Sequence, residues 1–235
     1  MRLEKKFAVI VGGGQQPGGT PGNGRATAIR FSQEGAAVMI VDINEEWAAD
    51  TLNEIEAQDT IWAGLINNAG YFNYDNGTSF RVEELHRHMS VNFIAPTLLT
   101  KALAKYTMKM TKKENSTQGF VINILDAKIF GLNPDYYTYT LSKQAMYGLT
   151  KMSALTYASF LRVNGIAPGI TLLAPGQDQK AFEKSHRKNL LKSSSTVEEI
   201  LNAIQLIINT KSMTGHVTIL DGGAHLAPPK RDVGL

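Results

Sequence analysis

Six short apolar, β-branched runs recur along the chain, and they constrain its fold more than any other feature. They are FAVIV (7–11), AAVMIVD (36–42), IWAGLIN (61–67), GFVINIL (119–125), RVNGIA (162–167) and HVTILDGG (216–223). Most lack the polar alternation of a half-solvated strand, so they read as strands buried on both faces, the signature of a parallel sheet. Between them lie helical patterns. RATAIRFSQEG is closed by Gly35, and residues 44–58 start at Asn44 with acidic residues in the first turn. Further helices are predicted over 82–112 and 134–160, and from Thr196, where Thr196 and Glu199 spell a capping box. Strand alternating with helix predicts an α/β fold, a doubly wound parallel sheet of about six strands covered on both faces. No linker divides the chain, so residues 1–235 read as one domain, with a flap at 177–195 and a C-terminal tail at 226–235.

Composition narrows the chemistry. There is no cysteine, which removes disulfides, thiolate metal sites and cysteine nucleophiles and fits a reducing, cytoplasmic setting. The five histidines are dispersed, and no metal site is expected. Net charge is only +3, and the densest basic cluster, KYTMKMTKK (105–113), ends a helical pattern, where cations suit the helix dipole. Nucleic acid is therefore not an expected partner. The first apolar run is five residues, too short to span a membrane.

In open parallel sheets ligands bind at the carboxyl ends of the strands, and the unusual residues gather there. The glycine-rich VGGGQQPGGTPGNGRATA sits between the first strand and the first helix. Glycines let backbone approach a pyrophosphate, and a helix N-terminus favours the anion. Gly22 and Gly24 open the helix. The first glycine of the motif is Gly12 or Gly18, and the strand end favours Gly12. Asp42 ends the second strand, where a carboxylate accepts both ribose hydroxyls and repels a 2′-phosphate. That favours NAD(H).

LDAKIFGLNPDYYTYTLSK follows the fourth strand. Tyr139 and Lys143 are four apart, on one helical face, whereas Tyr136 is seven from Lys143 and Tyr137 points elsewhere. A phenol titrates near ~10, and a nearby ammonium is expected to lower that value so that Tyr139 serves as an acid–base.

Taken together, GNGRATA (22–28), Asp42, NNAG (67–70), Val91–Asn92, YTLSK (139–143), RVNGIAPGIT (162–171) and LDGG (220–223) resemble a short-chain dehydrogenase/reductase. The resemblance implies a Rossmann-like fold and a nicotinamide dinucleotide. It assigns Tyr139 as acid/base, Lys143 as its tuner and a ribose ligand, and Asn92 as holder of a relay water. Gly12, Gly22, Asn23, Gly24, Asn68, Ala69, Gly70, Pro168, Gly169, Ile170 and Thr171 fall on the cofactor side, with Ile170 and Thr171 at the carboxamide. It also implies a homo-oligomer, a dimer or tetramer, built on the two long helices.

Two departures from the family pattern matter. Thirteen residues before Tyr139, where the family usually has serine, stands Asp126. An ionised carboxylate repels a developing alkoxide, whereas a carboxylic acid suits a ring C=N whose nitrogen must be protonated. Asp126, Tyr139 and Lys143 are similar to the pteridine and dihydromonapterin (dihydrofolate) reductase branch, and Phe72 falls where that branch stacks an aromatic on the pterin. That branch commonly prefers NADPH, so NADP(H) remains open beside NAD(H). The other departure is that a single helix separates Asp42 from the third strand, so the outer edge strand is expected to be missing. Reduction of a pterin-like C=N bond is the leading expectation. A carbonyl or alcohol oxidoreductase, such as an oxoacyl reductase, and a non-catalytic dinucleotide-binding protein are the alternatives.

Overall fold

The structure, a computed structural model, describes residues 6–14, 22–41, 61–114, 119–173 and 178–232. The strands are β1 (Lys6–Val11), β2 (Ala37–Val41), β3 (Ile61–Asn67), β4 (Gly119–Ile124), β5 (Leu161–Pro168) and β6 (Val217–Leu220). All pair in parallel, in the order β2-β1-β3-β4-β5-β6. Among the described residues β2 is the edge; the helix expected over 44–58, and any strand between β2 and β3, fall outside the described residues. The helices are α1 (Asn23–Gln33), α2 (Val82–Met89), α3 (Ala95–Glu114), α4 (Tyr137–Tyr157), α5 (Gln179–His186) and α6 (Val197–Asn209).

Successive side chains on a strand point to opposite faces, which sorts the core into two layers. Ile10, Ile66, Ile122 and Ile166 pack under Ala28 and Phe31 of α1 and Ile200, Ile204 and Ile207 of α6. Val9, Leu65, Val121 and Val163 pack on the opposite face, with Leu103 of α3 and Ala154 of α4. Each such side chain removed from water stabilises the fold by about 1.5–3 kcal/mol. The apolar runs are unbroken because both faces are covered. The capping box at α6 is present, with Glu199 N–H on the Thr196 hydroxyl at 3.3 Å and Thr196 N–H on the Glu199 carboxylate at 2.8 Å.

Three boundaries differ from expectation. The helix expected over 82–112 is broken into α2 and α3 by a π turn, Ser90–Ile94. Pro96 lacks an N–H and its ring crowds the carbonyl four residues back, that of Asn92, so the turn widens there. The helix expected over 134–160 begins only at Tyr137. Asp135 instead bridges to Asn76, and Tyr136 adopts a left-handed conformation (φ 52°, ψ 52°). The C-terminal segment expected as a tail is tied down as far as it is described. The Arg231 guanidinium donates to both oxygens of Asp135, at 2.7 to 3.0 Å, and the Asp232 N–H donates to Asp135 at 2.7 Å. The Arg231 guanidinium holds the Asp135 carboxyl at about 2.

Candidate active site

The carboxyl ends of β1, β3, β4, β5 and β6 open onto one crevice. At β1, Gly12 takes φ +75°, and a side chain there would strike the Ala69 backbone, its Cβ only 2.7 Å from the Ala69 Cα. A Cβ on Gly24 would run into the Gly12 carbonyl and the Asn68 amide. Asn68 Nδ2 donates to the Gly12 carbonyl at 3.0 Å, and the Ala69 N–H donates to the Val11 carbonyl at 2.7 Å. The glycine loop is thus sewn to the NNAG turn, bringing Gly12, Asn68, Ala69 and Gly70 together.

Helix α1 starts after Gly22, which offers no side-chain cap, and the buried Asn23 Oδ1 has no hydrogen-bond partner. An uncapped helix start and a glycine cradle fit a dinucleotide pyrophosphate. Asp42, the basis of the NAD(H) expectation, and Gly18, the alternative first glycine, lie outside the described residues. At β5, Pro168 closes the strand beside Leu220, and the Gly169 N–H donates to the Leu220 carbonyl at 2.7 Å. Ile170 and Thr171 follow at the cleft, with the Thr171 hydroxyl 2.7 Å from that of Ser195.

The proton-handling residues meet where β4 ends. Asp126 caps the short helical turn Ala127–Ile129, its Oδ1 accepting the Lys128 N–H at 2.8 Å. Its Oδ2 accepts the Tyr139 hydroxyl at 2.7 Å. Tyr139 and Lys143 are both buried on α4. Lys143 Nζ donates to the Ile124 carbonyl at 2.8 Å and lies 5.9 Å from the centre of the Tyr139 ring.

The expected lowering of the Tyr139 pKa by Lys143 is not what this geometry produces. Burial, and then the charge and hydrogen bond of Asp126, push the phenol well above its ordinary value. Burial also pushes the Asp126 carboxyl up, against the Lys128 N–H, the Tyr139 hydroxyl and the two lysines, which all favour its ionised form. Lys143 itself is brought down to about 8 by burial, with Asp126 opposing. Helical spacing put the lysine on the correct face, but its ammonium is aimed at the sheet. Tyr139 is therefore a protonated donor to Asp126.

Asn92 is fully buried in the π turn, and its side chain is committed. Its Oδ1 accepts the Tyr71 N–H at 2.8 Å, and its Nδ2 donates to the Tyr71 carbonyl and the Ser142 hydroxyl, each at 2.9 Å. Ser142 donates in turn to the Tyr139 carbonyl at 2.6 Å. The amide thus braces the Tyr139 helix.

A cleft of about 880 Å³ lies in front of Asp126 and Tyr139. Phe72 stands in its wall, half exposed, its ring stacked on Tyr136 at 4.3 Å and edge-on to Tyr139 at 4.7 Å. Tyr136 and Lys128 were not picked out by sequence reasoning. Lys128 Nζ donates to Asp232 at 3.1 Å and to Asn133, and sits 5.7 Å over the Tyr136 ring. The dense aromatic run DYYTYT is the available signal, but a helix expected from Pro134 puts Tyr136 in its first turn rather than in the left-handed residue before it. The flap contributes Asp178, Lys184 and Asn189, and the end of β6 contributes Asp221 and His225. Among the described residues no group of three or more His, Asp or Glu is placed to hold a metal ion, and no helix is long and apolar enough to cross a membrane.

Comparison with known proteins supplies independent findings. A family model described as enoyl-(acyl carrier protein) reductase, of the short-chain alcohol dehydrogenase type, matches residues 45–225. The chain is 32% identical over 139 residues to pteridine reductase 1 of Leishmania tarentolae, a match spanning 57% of this chain and 48% of the relative. It is 27% identical over 272 residues to levodione reductase of Leifsonia aquatica, spanning 96% of each. Among solved structures, FolM alternative dihydrofolate reductase 1 from Brucella suis, in complex with NADP, superposes with a TM-score of 0.85 at 25% identity, over 98% of this chain and 99% of that one.

Proposed function

Because this chain belongs to the short-chain dehydrogenase/reductase family, we propose that it reduces a C=N bond in a pterin-like ring. It is an NAD(P)-dependent oxidoreductase. The observation that carries the narrower reading is the Tyr139–Asp126 hydrogen bond, which puts a carboxyl group where the family usually has a serine hydroxyl.

A nicotinamide dinucleotide, when bound, supplies the hydride. Gly12, Gly22, Gly24 and Asn68 would hold its pyrophosphate side, and Ile170 and Thr171 its carboxamide. The Asp126–Tyr139 pair would supply the proton to the ring nitrogen, with burial pushing the Asp126 carboxyl toward its acid form. Tyr139 keeps its phenol proton 2.7 Å from the Asp126 carboxyl and is placed to donate it to the ring nitrogen as negative charge develops there. Lys143 keeps a positive charge beside the pair below pH of about 8. Phe72 and Tyr136 present stacked rings, a wall suited to a flat bicycle. Asp42 supports NAD(H), whereas the NADP complex of the Brucella suis neighbour supports NADP(H).

The second reading is carbonyl reduction, favoured by the nearly full-length match to levodione reductase. The Asp126 cap on Lys128 N–H would then be its main role. One panel separates them: oxidation of NADH and of NADPH followed with dihydrobiopterin, dihydrofolate and a β-ketoester. Turnover of the pterins is expected. Turnover of the ketoester alone would remove the C=N reading, and dinucleotide binding without turnover of any of the three would favour a non-catalytic protein.

A further inference from the structure

The loop that carries Phe72 and the helix that carries Tyr139 are joined by three buried polar side chains that the chemistry above does not use. Asp75, His88 and Thr138 are 6%, 0% and 0% exposed. Helix α4 needs an outside cap, because Tyr136 before it is left-handed and makes no side-chain cap bond. Asp75 supplies it from 63 residues upstream of Thr138. Its Oδ1 accepts the Thr138 N–H at 3.0 Å, its carbonyl accepts the Tyr137 N–H at 3.4 Å, and its Oδ2 accepts the Thr138 hydroxyl. A carboxylate at a helix N-terminus also meets the positive end of the dipole.

Capping alone does not account for His88. Its Nε2 accepts the Asn73 N–H at 3.3 Å, next to Phe72 in the loop. Burial pushes its imidazole pKa down, so the ring is neutral and its proton sits on Nδ1. That nitrogen is 2.9 Å from the Thr138 hydroxyl oxygen. Every link therefore has one direction: His88 donates to Thr138, and Thr138 donates to Asp75. Burying three such groups costs stability unless all are satisfied, and here all are. The relay grips the loop at Asn73 and Asp75, on either side of Tyr74 and just after Phe72. It grips the helix at Thr138, one residue before the phenol.

We propose that Asp75, Thr138 and His88 are positioning residues that fix the gap between the Phe72 ring and the Tyr139 hydroxyl, and so select flat rings for the proton donors. The proposal rests on Tyr139 acting as a proton donor. Thr138→Val keeps the shape and removes the hydroxyl, leaving Asp75 Oδ2 without its partner and cutting the His88 link to the helix. Thr138→Ser keeps the hydroxyl and serves as the rescue. Three quantities are measured for each: the NADPH dissociation constant, the nuclear Overhauser contacts between the Phe72 and Tyr139 rings, and turnover of dihydrobiopterin.

Thr138→Val is expected to bind NADPH like the parent, lose the ring contacts and turn over about 10-fold more slowly or worse, as misplaced reacting groups do. Thr138→Ser restores both. Thr138→Val with intact ring contacts would overturn the proposal, as would equal losses in the two variants. If the parent protein does not reduce dihydrobiopterin, the C=N reading fails by itself, and the ring contacts still decide the relay.

Discussion

Lys143 is the residue whose behaviour departs furthest from its motif. A tyrosine and a lysine one turn apart suggest a phenol made acidic by a cation, yet Lys143 donates to the Ile124 carbonyl and Tyr139 donates to Asp126. Spacing along a helix fixes which face a side chain leaves from. It does not fix where a four-carbon stem ends, and here an open carbonyl at the sheet end captures the ammonium. The consequence is measurable. Lys143 titrates at about 8 in the folded protein against ~10.4 when unfolded. Between those values the unfolded chain binds the extra proton, so this group's contribution to stability rises with pH across that window. Urea denaturation of the protein without dinucleotide should show this gain from about pH 8 to ~10.4, and Lys143→Met should flatten it. A slope unchanged by the substitution would mean the ammonium is not held in the dry environment described.

At the scale of elements, the strands were legible because a sheet covered on both faces leaves unbroken apolar runs. Their carboxyl-end motifs were legible because close backbone approaches, as at Gly12 and Gly24, restrict residue type locally. What was not legible depends on distant partners. The start of α4 at Tyr137 is set by Asp75, by the Asn76–Asp135 bridge and by Arg231, none of them near in sequence. Arg162 is another such case. It sits on β5, 4% exposed, and donates to the carbonyls of Ile207, Ile208, Thr210 and Met213 at 2.8 to 3.2 Å. It thereby closes the C-terminal end of α6, where cations are favoured. Burial lowers its pKa from the usual value, so the charge is held by carbonyl oxygens rather than by water. Arg162→Met is expected to cost about 3 kcal/mol in chemical denaturation, since hydrogen bonds to a charged group are among the stronger ones. Its dinucleotide affinity should match the parent's, because Arg162 sits near the start of β5, at the opposite end of the sheet from the glycine cradle. A cost near zero would mean that the carbonyls are equally well satisfied by water.

Across the whole molecule, the two halves of the crevice were not equally readable. The dinucleotide half follows chain order and shows itself in short motifs. The substrate half is assembled from the loop after β3, the turn after β4, the flap around α5 and the C-terminal strap, so its aromatic wall and the Lys128–Asp232 pair emerge only when these meet. Asp126 and Tyr139, 2.7 Å apart, are the proposed source of the proton. The most direct test is to replace Asp126 with serine and compare dihydropterin reduction, β-ketoester reduction and dinucleotide affinity with the parent. Loss of a positioned general acid should slow pterin reduction by about 10²-fold or more, with dinucleotide affinity unchanged. An Asp126→Ser protein that reduces dihydropterin as fast as the parent would contradict the account.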